Sequence, residues 1–206
     1  MHKIKTSGEQ STAGFSVIEL VVSLAVIVLV SAQVFVSFSG LGQGTALNRA
    51  AQELIGEIRK AQYGSLAVTY ANVPISGVPQ YVIPPAIGIQ LATGTVSPQI
   101  IRFADRNDCG GCVQNNKYDA SQGEQIGALT LPSGIKINRI TGQNNTVSYA
   151  KVGILFRVPE ATLTLWRDIN GIITIIPGNH ITIELVNAAG KTKTVTVRIT
   201  GQINAN

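Results

Sequence analysis

Glu19 is the one charged residue in the 24 residues from Phe15 to Phe38. A carboxylate inside so apolar a run is costly and needs a partner. The chemistry it offers is ion pairing rather than proton transfer, because an acid set inside such a run has no substrate to meet. Four residues earlier stands the junction Gly14-Phe15. Cleavage after Gly14 would create a free α-ammonium on Phe15, a cation for the Glu19 carboxylate of a neighbouring chain. A second group of reactive residues is Cys109-Gly110-Gly111-Cys112. It can be a disulfide, half a metal site or a redox pair. A zinc site needs four ligands, and there is no second cysteine pair and no histidine cluster. A redox pair opens a helix beside a strand, whereas this one lies in a Gly/Asn/Asp-rich stretch. A local Cys109–Cys112 disulfide outside the cytoplasm is therefore expected. Around it Asp105, Asn107, Asp108, Asp119 and Glu124 gather oxygen ligands of the kind Ca²⁺ takes. Their spacing does not match the twelve-residue calcium loop, so Asx turns are the expected use and Asp105, Asn107, Asp119 and Glu124 are only weak calcium candidates. No nucleophile elbow, phosphate loop or dinucleotide fingerprint is present, and loss of residues 1–14 leaves His180 as the only histidine. The chain is expected to have no catalytic site and no cofactor.

The elements that position these residues begin with the leader MHKIKTSGEQSTAG, polar and carrying Lys3 and Lys5. The apolar run that follows is long enough as a helix, about 36 Å at about 1.5 Å per residue, to cross a bilayer core of about 30 Å. Leading lysines favour a cytoplasmic N-terminus and an extracytoplasmic remainder. Three interpretations compete: a secretory signal cut after Ala32 at Val30-Ser31-Ala32, a plain anchor, and a cleaved leader whose helix assembles with copies of itself. Only the third has a use for Glu19.

Gly14-Phe15-Ser16-Val17-Ile18-Glu19-Leu20 resembles the prepilin cleavage and methylation motif of type IV pilin-like proteins. The resemblance implies that a prepilin peptidase cuts after Gly14, that Phe15 becomes an N-methylated N-terminus, and that Glu19 is the assembly carboxylate. It extends, more thinly, to 53–67, to Phe103-Ala104-Asp105-Arg106-Asn107, to Tyr118-Asp119 and Gly123-Glu124, and to the C-terminal Thr200-Gly201-Gln202-Ile203. In layout the chain is similar to H-type pseudopilins of type II secretion systems and to the related minor pilins of the fimbrial T and U types. DNA-binding members of that group carry arginines around the last glycine, where this chain has Gln202 and Asn204.

Gly40, Gly42 and Gly44 each cost a helix about 0.5–1 kcal/mol, so a weak or partly melted helix is expected there. Beyond them Leu47, Ala51, Leu54, Ile58, Ala61 and Ser65 recur at alternating spacings of four and three, one stripe of a second, amphipathic half. Arg59 and Lys60 are placed near its C-terminal end, where they would suit the helix dipole. β-rich runs follow at 87–91, 100–103, 128–131, 135–140, 152–158, 162–166, 172–176, 181–186 and 194–199, with a hairpin loop at Asn187-Ala188-Ala189-Gly190 and breaks at Pro84-Pro85 and Pro159. Trp166 is expected in the core or at a subunit interface.

The expected fold is α+β and type IV pilin-like: a long N-terminal helix packed on a mostly antiparallel β-sheet domain. Its parts are a leader at 1–14, a transmembrane and assembly helix at 15–40, the amphipathic half at 41–66 and a β domain at 67–206. The expected function is structural, a minor pilin or pseudopilin of a type IV pilus or type II secretion pseudopilus. Its partners are the prepilin peptidase, other pilin or pseudopilin subunits, the inner-membrane assembly platform and the membrane itself. The rival is a DNA-binding or adhesive minor pilin, supported only by a net charge of +5 that includes Lys191, Lys193 and Arg198.

Overall fold

The computed structural model describes residues 16–75, 78–94, 99–106, 115–143, 148–169 and 171–206. Helix α1 (Val17–Leu66) opens the chain. Strands follow as β1 (Ala71–Ile75), β2 (Val78–Val82), β3 (Ala86–Ala92), β4 (Gln99–Asp105), β5 (Gln125–Thr130), β6 (Lys136–Gly142), β7 (Lys151–Arg157), β8 (Thr162–Ile169), β9 (Ile172–Ile175), β10 (His180–Val186), β11 (Thr192–Arg198) and β12 (Ile203–Ala205). The chain is thus α+β, and every pairing among these strands is antiparallel. It divides into two compact units, Met1–Gly42 and Gln43–Asn206.

The described part of the first unit is helical. The helix is not melted at Gly40, Gly42 and Gly44: α1 is helical through all three. A cost near 1 kcal/mol per glycine lowers helix stability without breaking the ladder here.

In the second unit the apolar stripe is the core. Leu47, Ala51, Leu54, Ile58, Ala61 and Ser65 are all buried, joined by Ala50 and Ile55. All of them but Ser65 share one apolar cluster with Ile89, Leu91, Ile154 and Phe156 of the six-stranded sheet β5-β4-β3-β7-β8-β9 and with Ile140, Ile183 and Val197 of the four-stranded sheet β12-β11-β10-β6. The β domain therefore resolves into two larger sheets and a separate β1–β2 hairpin. Ser65 is tolerated among these neighbours because its hydroxyl donates to the Gln62 carbonyl one turn back, at 2.7 Å.

The end of α1 corrects one expectation. The helix passes Gly64 and stops at Leu66, so its last turn holds no basic residue and Arg59 and Lys60 do not face the dipole. Lys60 instead pairs with Glu57 across one turn. Termination is a Schellman-type turn, with the Thr69 N–H on the Gly64 carbonyl at 3.0 Å and Val68 in the left-handed region at φ 48°. That place usually holds glycine.

Trp166 is 1% exposed, on the sheet face opposite the main core, with Ala86, Phe103 and Leu155. Its indole lies over Gly153 of the adjacent strand, and a Cβ built there would come within 1.9 Å of the ring. Gly56, inside α1, has nothing within 4 Å of such a Cβ. Two alanine substitutions should therefore move the urea midpoint of the full chain in opposite directions. Gly153→Ala should lower stability by at least about 1–3 kcal/mol through overpacking, and Gly56→Ala should raise it by about 0.5–1 kcal/mol through helix propensity.

Candidate functional site: an apolar helix with one acid

Val17–Val34 has a mean hydropathy of 2.5, and none of it is buried. Val17 is 82% exposed and Leu29 65%. By length and composition this helix can cross a membrane.

Ser16 caps it. The Ser16 Oγ accepts the Glu19 N–H at 3.3 Å, and the Ser16 carbonyl accepts from Glu19 at 3.0 Å and Leu20 at 3.2 Å. Ser16-Val17-Ile18-Glu19 has the spacing of a capping box, a local signal that the reading of Glu19 as a long-range partner passed over. One turn on, the Ser23 hydroxyl donates to the Glu19 carbonyl at 2.7 Å. These contacts satisfy the backbone of Glu19. Among the described residues none pairs with its carboxylate. The helix N-terminus favours an acid by about 0.3–1 kcal/mol, against about 2.5–3.5 kcal/mol for a charge at the centre of a membrane helix. Glu19 stands in the first turn and not at the centre, so its cost is smaller and the dipole offsets part of it. Gly14 and Phe15 lie outside the described residues.

The second group of expected residues is split by description: Asn107, Asp108, Cys109 and Cys112 also lie outside the described residues. The others build a loop anchor. Asp105 and Glu124 are both fully buried. The Asp105 carboxylate accepts the N–H groups of Asn115 at 3.2 Å and Asn116 at 3.0 Å. Glu124 accepts those of Arg106 at 3.3 Å and Asp119 at 2.6 Å. Two buried acids at the ends of β4 and before β5 thus hold both ends of the segment between them. Asp119 caps the short 3-10 turn Ala120–Gln122 through the Ser121 N–H and hydroxyl, and takes the Gln122 amide at 3.0 Å. The carboxylate oxygens thus meet N–H and O–H donors. Among the described residues no three His, Cys, Asp or Glu side chains stand together as metal ligands.

Burial, the largest influence, raises the Glu124 carboxyl to about 7, against the Asp119 and Arg106 N–H groups and with added repulsion from Asp105 and Asp119. Burial also raises Asp105, while the Ser121 and Gln122 side chains hold Asp119 below its usual range.

Of the basic residues behind the DNA-binding rival, Lys193 and Arg198 point to opposite faces of β11, because strand side chains alternate. Lys191 sits in the loop before that strand, where the Asn187 Oδ1 accepts its N–H at 2.9 Å. The three do not form one basic face. No protein-family model, no curated protein and no solved structure matches the chain.

The loop anchor yields a pH signature. Glu124 binds its proton more tightly folded than unfolded between its ordinary 4.5 and about 7. Stability should therefore fall as pH rises through that window, and level off above it. Urea midpoints taken from pH 4.5 to 8 should show this slope in the parent chain. Glu124→Gln should remove the part that extends toward pH 7.

Proposed function

We propose that this chain is a pilin-like subunit, with the type IV pilin-like fold, that polymerises through its N-terminal helix. Prepilin peptidase cuts after Gly14, and Phe15 becomes the N-methylated N-terminus. The chain waits in the inner membrane with its β domain outside, then passes through the assembly platform into a type IV pilus or a type II secretion pseudopilus. It acts there as a minor pilin or pseudopilin, a structural part rather than an enzyme.

The observation that carries this reading is the exposed apolar helix Val17–Val34 with one acid in its first turn that none of the described residues pairs. An anchor needs the apolar length and gains nothing from the acid. A bundle of such helices uses both. Apolar faces pack against one another, and each Glu19 takes the terminal ammonium of a neighbour, which sets axial register. A buried carboxylate left without that cation opposes packing, so out-of-register bundles are disfavoured.

Glu19→Ala separates insertion from assembly. It makes the helix more apolar, so the fraction of chain in membranes should be unchanged or slightly higher. Cross-linking of the membrane-embedded chain into multimers should fall sharply. Multimer yields equal to those of the parent would sink the register argument.

A further inference from the structure

We infer that the free edge of β9 is a docking edge for a second copy of this chain, joined strand to strand about a two-fold axis centred on Thr174. This inference does not depend on the pilin reading.

Among the described residues β9 ends the six-stranded sheet and pairs only with β8, in the register Ile169↔Ile172, Asp168↔Ile173, Arg167↔Thr174 and Trp166↔Ile175. The next pair in that register is hydrogen-bonded, with the Ile176 N–H on the Leu165 carbonyl at 2.9 Å. Hydrogen-bonded pairs alternate along an antiparallel ladder, so Thr174 and Ile172 also turn their backbone toward β8. Ile173 and Ile175 turn theirs outward.

Soluble proteins protect such edges with charges, prolines or bulges. β9 is short, at four residues, but within it there is none of these: no charged residue occurs between Asp168 and His180, the first proline is Pro177 beyond its end, and the ladder runs without a register shift. Ile172 is 70% exposed and Ile175 69%. A charged partner would lose hydration against this edge without gaining an ion pair. A second β9 matches it.

The register follows from the neighbours. A two-fold axis normal to the sheet keeps each side chain on its own face, so the strand must centre on a residue. Centring on Ile173 would need Gly171 in the ladder, but Gly171 is in a turn at φ 85°. Centring on Ile175 would use Pro177, which has no N–H to give. Centring on Thr174 sets Ile173 of each copy opposite Ile175 of the other, so that both outward-facing residues of each strand bond. It also sets Ile172 opposite Ile176, giving β-branched cross-strand pairs throughout, the kind that stabilise a ladder.

A contact this short is weak on its own, so covalent trapping is the suitable readout. In this register the two Thr174 residues form a non-hydrogen-bonded pair with Cα atoms about 4.5 Å apart, within the span of a disulfide. Full-length chain carrying Thr174→Cys, in membranes and oxidised with copper phenanthroline, should give a disulfide-linked dimer band absent from the parent chain. Ile172→Cys should give much less, because it meets Ile176 rather than itself. Adding Ile175→Pro removes an outward N–H and should abolish the Thr174→Cys dimer, with near-ultraviolet dichroism of Trp166 reporting that the sheet is still folded. Three results would each overturn the inference: no dimer above the parent from folded Thr174→Cys protein, equal dimer from Ile172→Cys, or a dimer that survives Ile175→Pro.

Discussion

Twelve large apolar side chains between Val17 and Val34 stand in solvent, from 46% to 82% exposed. Covering them is worth on the order of 10 kcal/mol at about 25 cal/mol per Å², comparable with the whole stability of an ordinary domain. No local rearrangement hides them, since a helix apolar on every side has no polar face to turn outward. By length and composition the first part of α1 can cross a membrane. Its second part meets the same demand in another way: there the apolar residues narrow to one stripe, and that stripe is the floor of the β domain's core. The division into two compact units falls between Gly42 and Gln43, inside the glycine-rich stretch that separates the two patterns.

Glu19 takes its meaning from that setting. In a soluble helix an acid at the third position behind a serine is a capping residue, and the Ser16 contact shows half of that arrangement. In an apolar helix the same acid carries a cost that the helix dipole offsets only in part. In the proposed assembly a cation at the helix terminus of a neighbouring chain fits both its position and its sign. Loop geometry in the β domain follows a parallel rule. Asp105 and Glu124 are buried, and each is kept by two backbone N–H groups. There the donors come from the chain's own loop, so no outside partner is called for.

Periodicity made most of the framework legible. The stripe from Leu47 to Ser65 is buried residue for residue, and each of the nine β-rich runs falls on a strand. The Asn187-Ala188-Ala189-Gly190 loop joins β10 to β11, with Gly190 at φ 77°. What escaped has physical causes. β1 and β2 carry Pro74 and Pro79 opposite each other, residues that count against a strand except in an isolated hairpin such as this one. β12 is three residues long, too short for alternation to register. The end of α1 at Leu66 falls where the sequence pattern puts it, although Val68 occupies the place glycine usually takes. The role of Asp105 and Glu124 depends on residues up to 18 positions apart meeting across a loop, which spacing alone does not reveal. The open edge of β9 is likewise a property of strand order, not of local sequence.

The central claim is that residues 15–38 are the start of a mature, assembling helix, neither a removed signal nor a plain anchor. N-terminal mass spectrometry of the membrane-extracted chain addresses it most directly. The account predicts a mature chain that begins at N-methylated Phe15. A chain beginning at Gln33, or one that retains Met1, would contradict it and leave the Glu19 carboxylate without its cation.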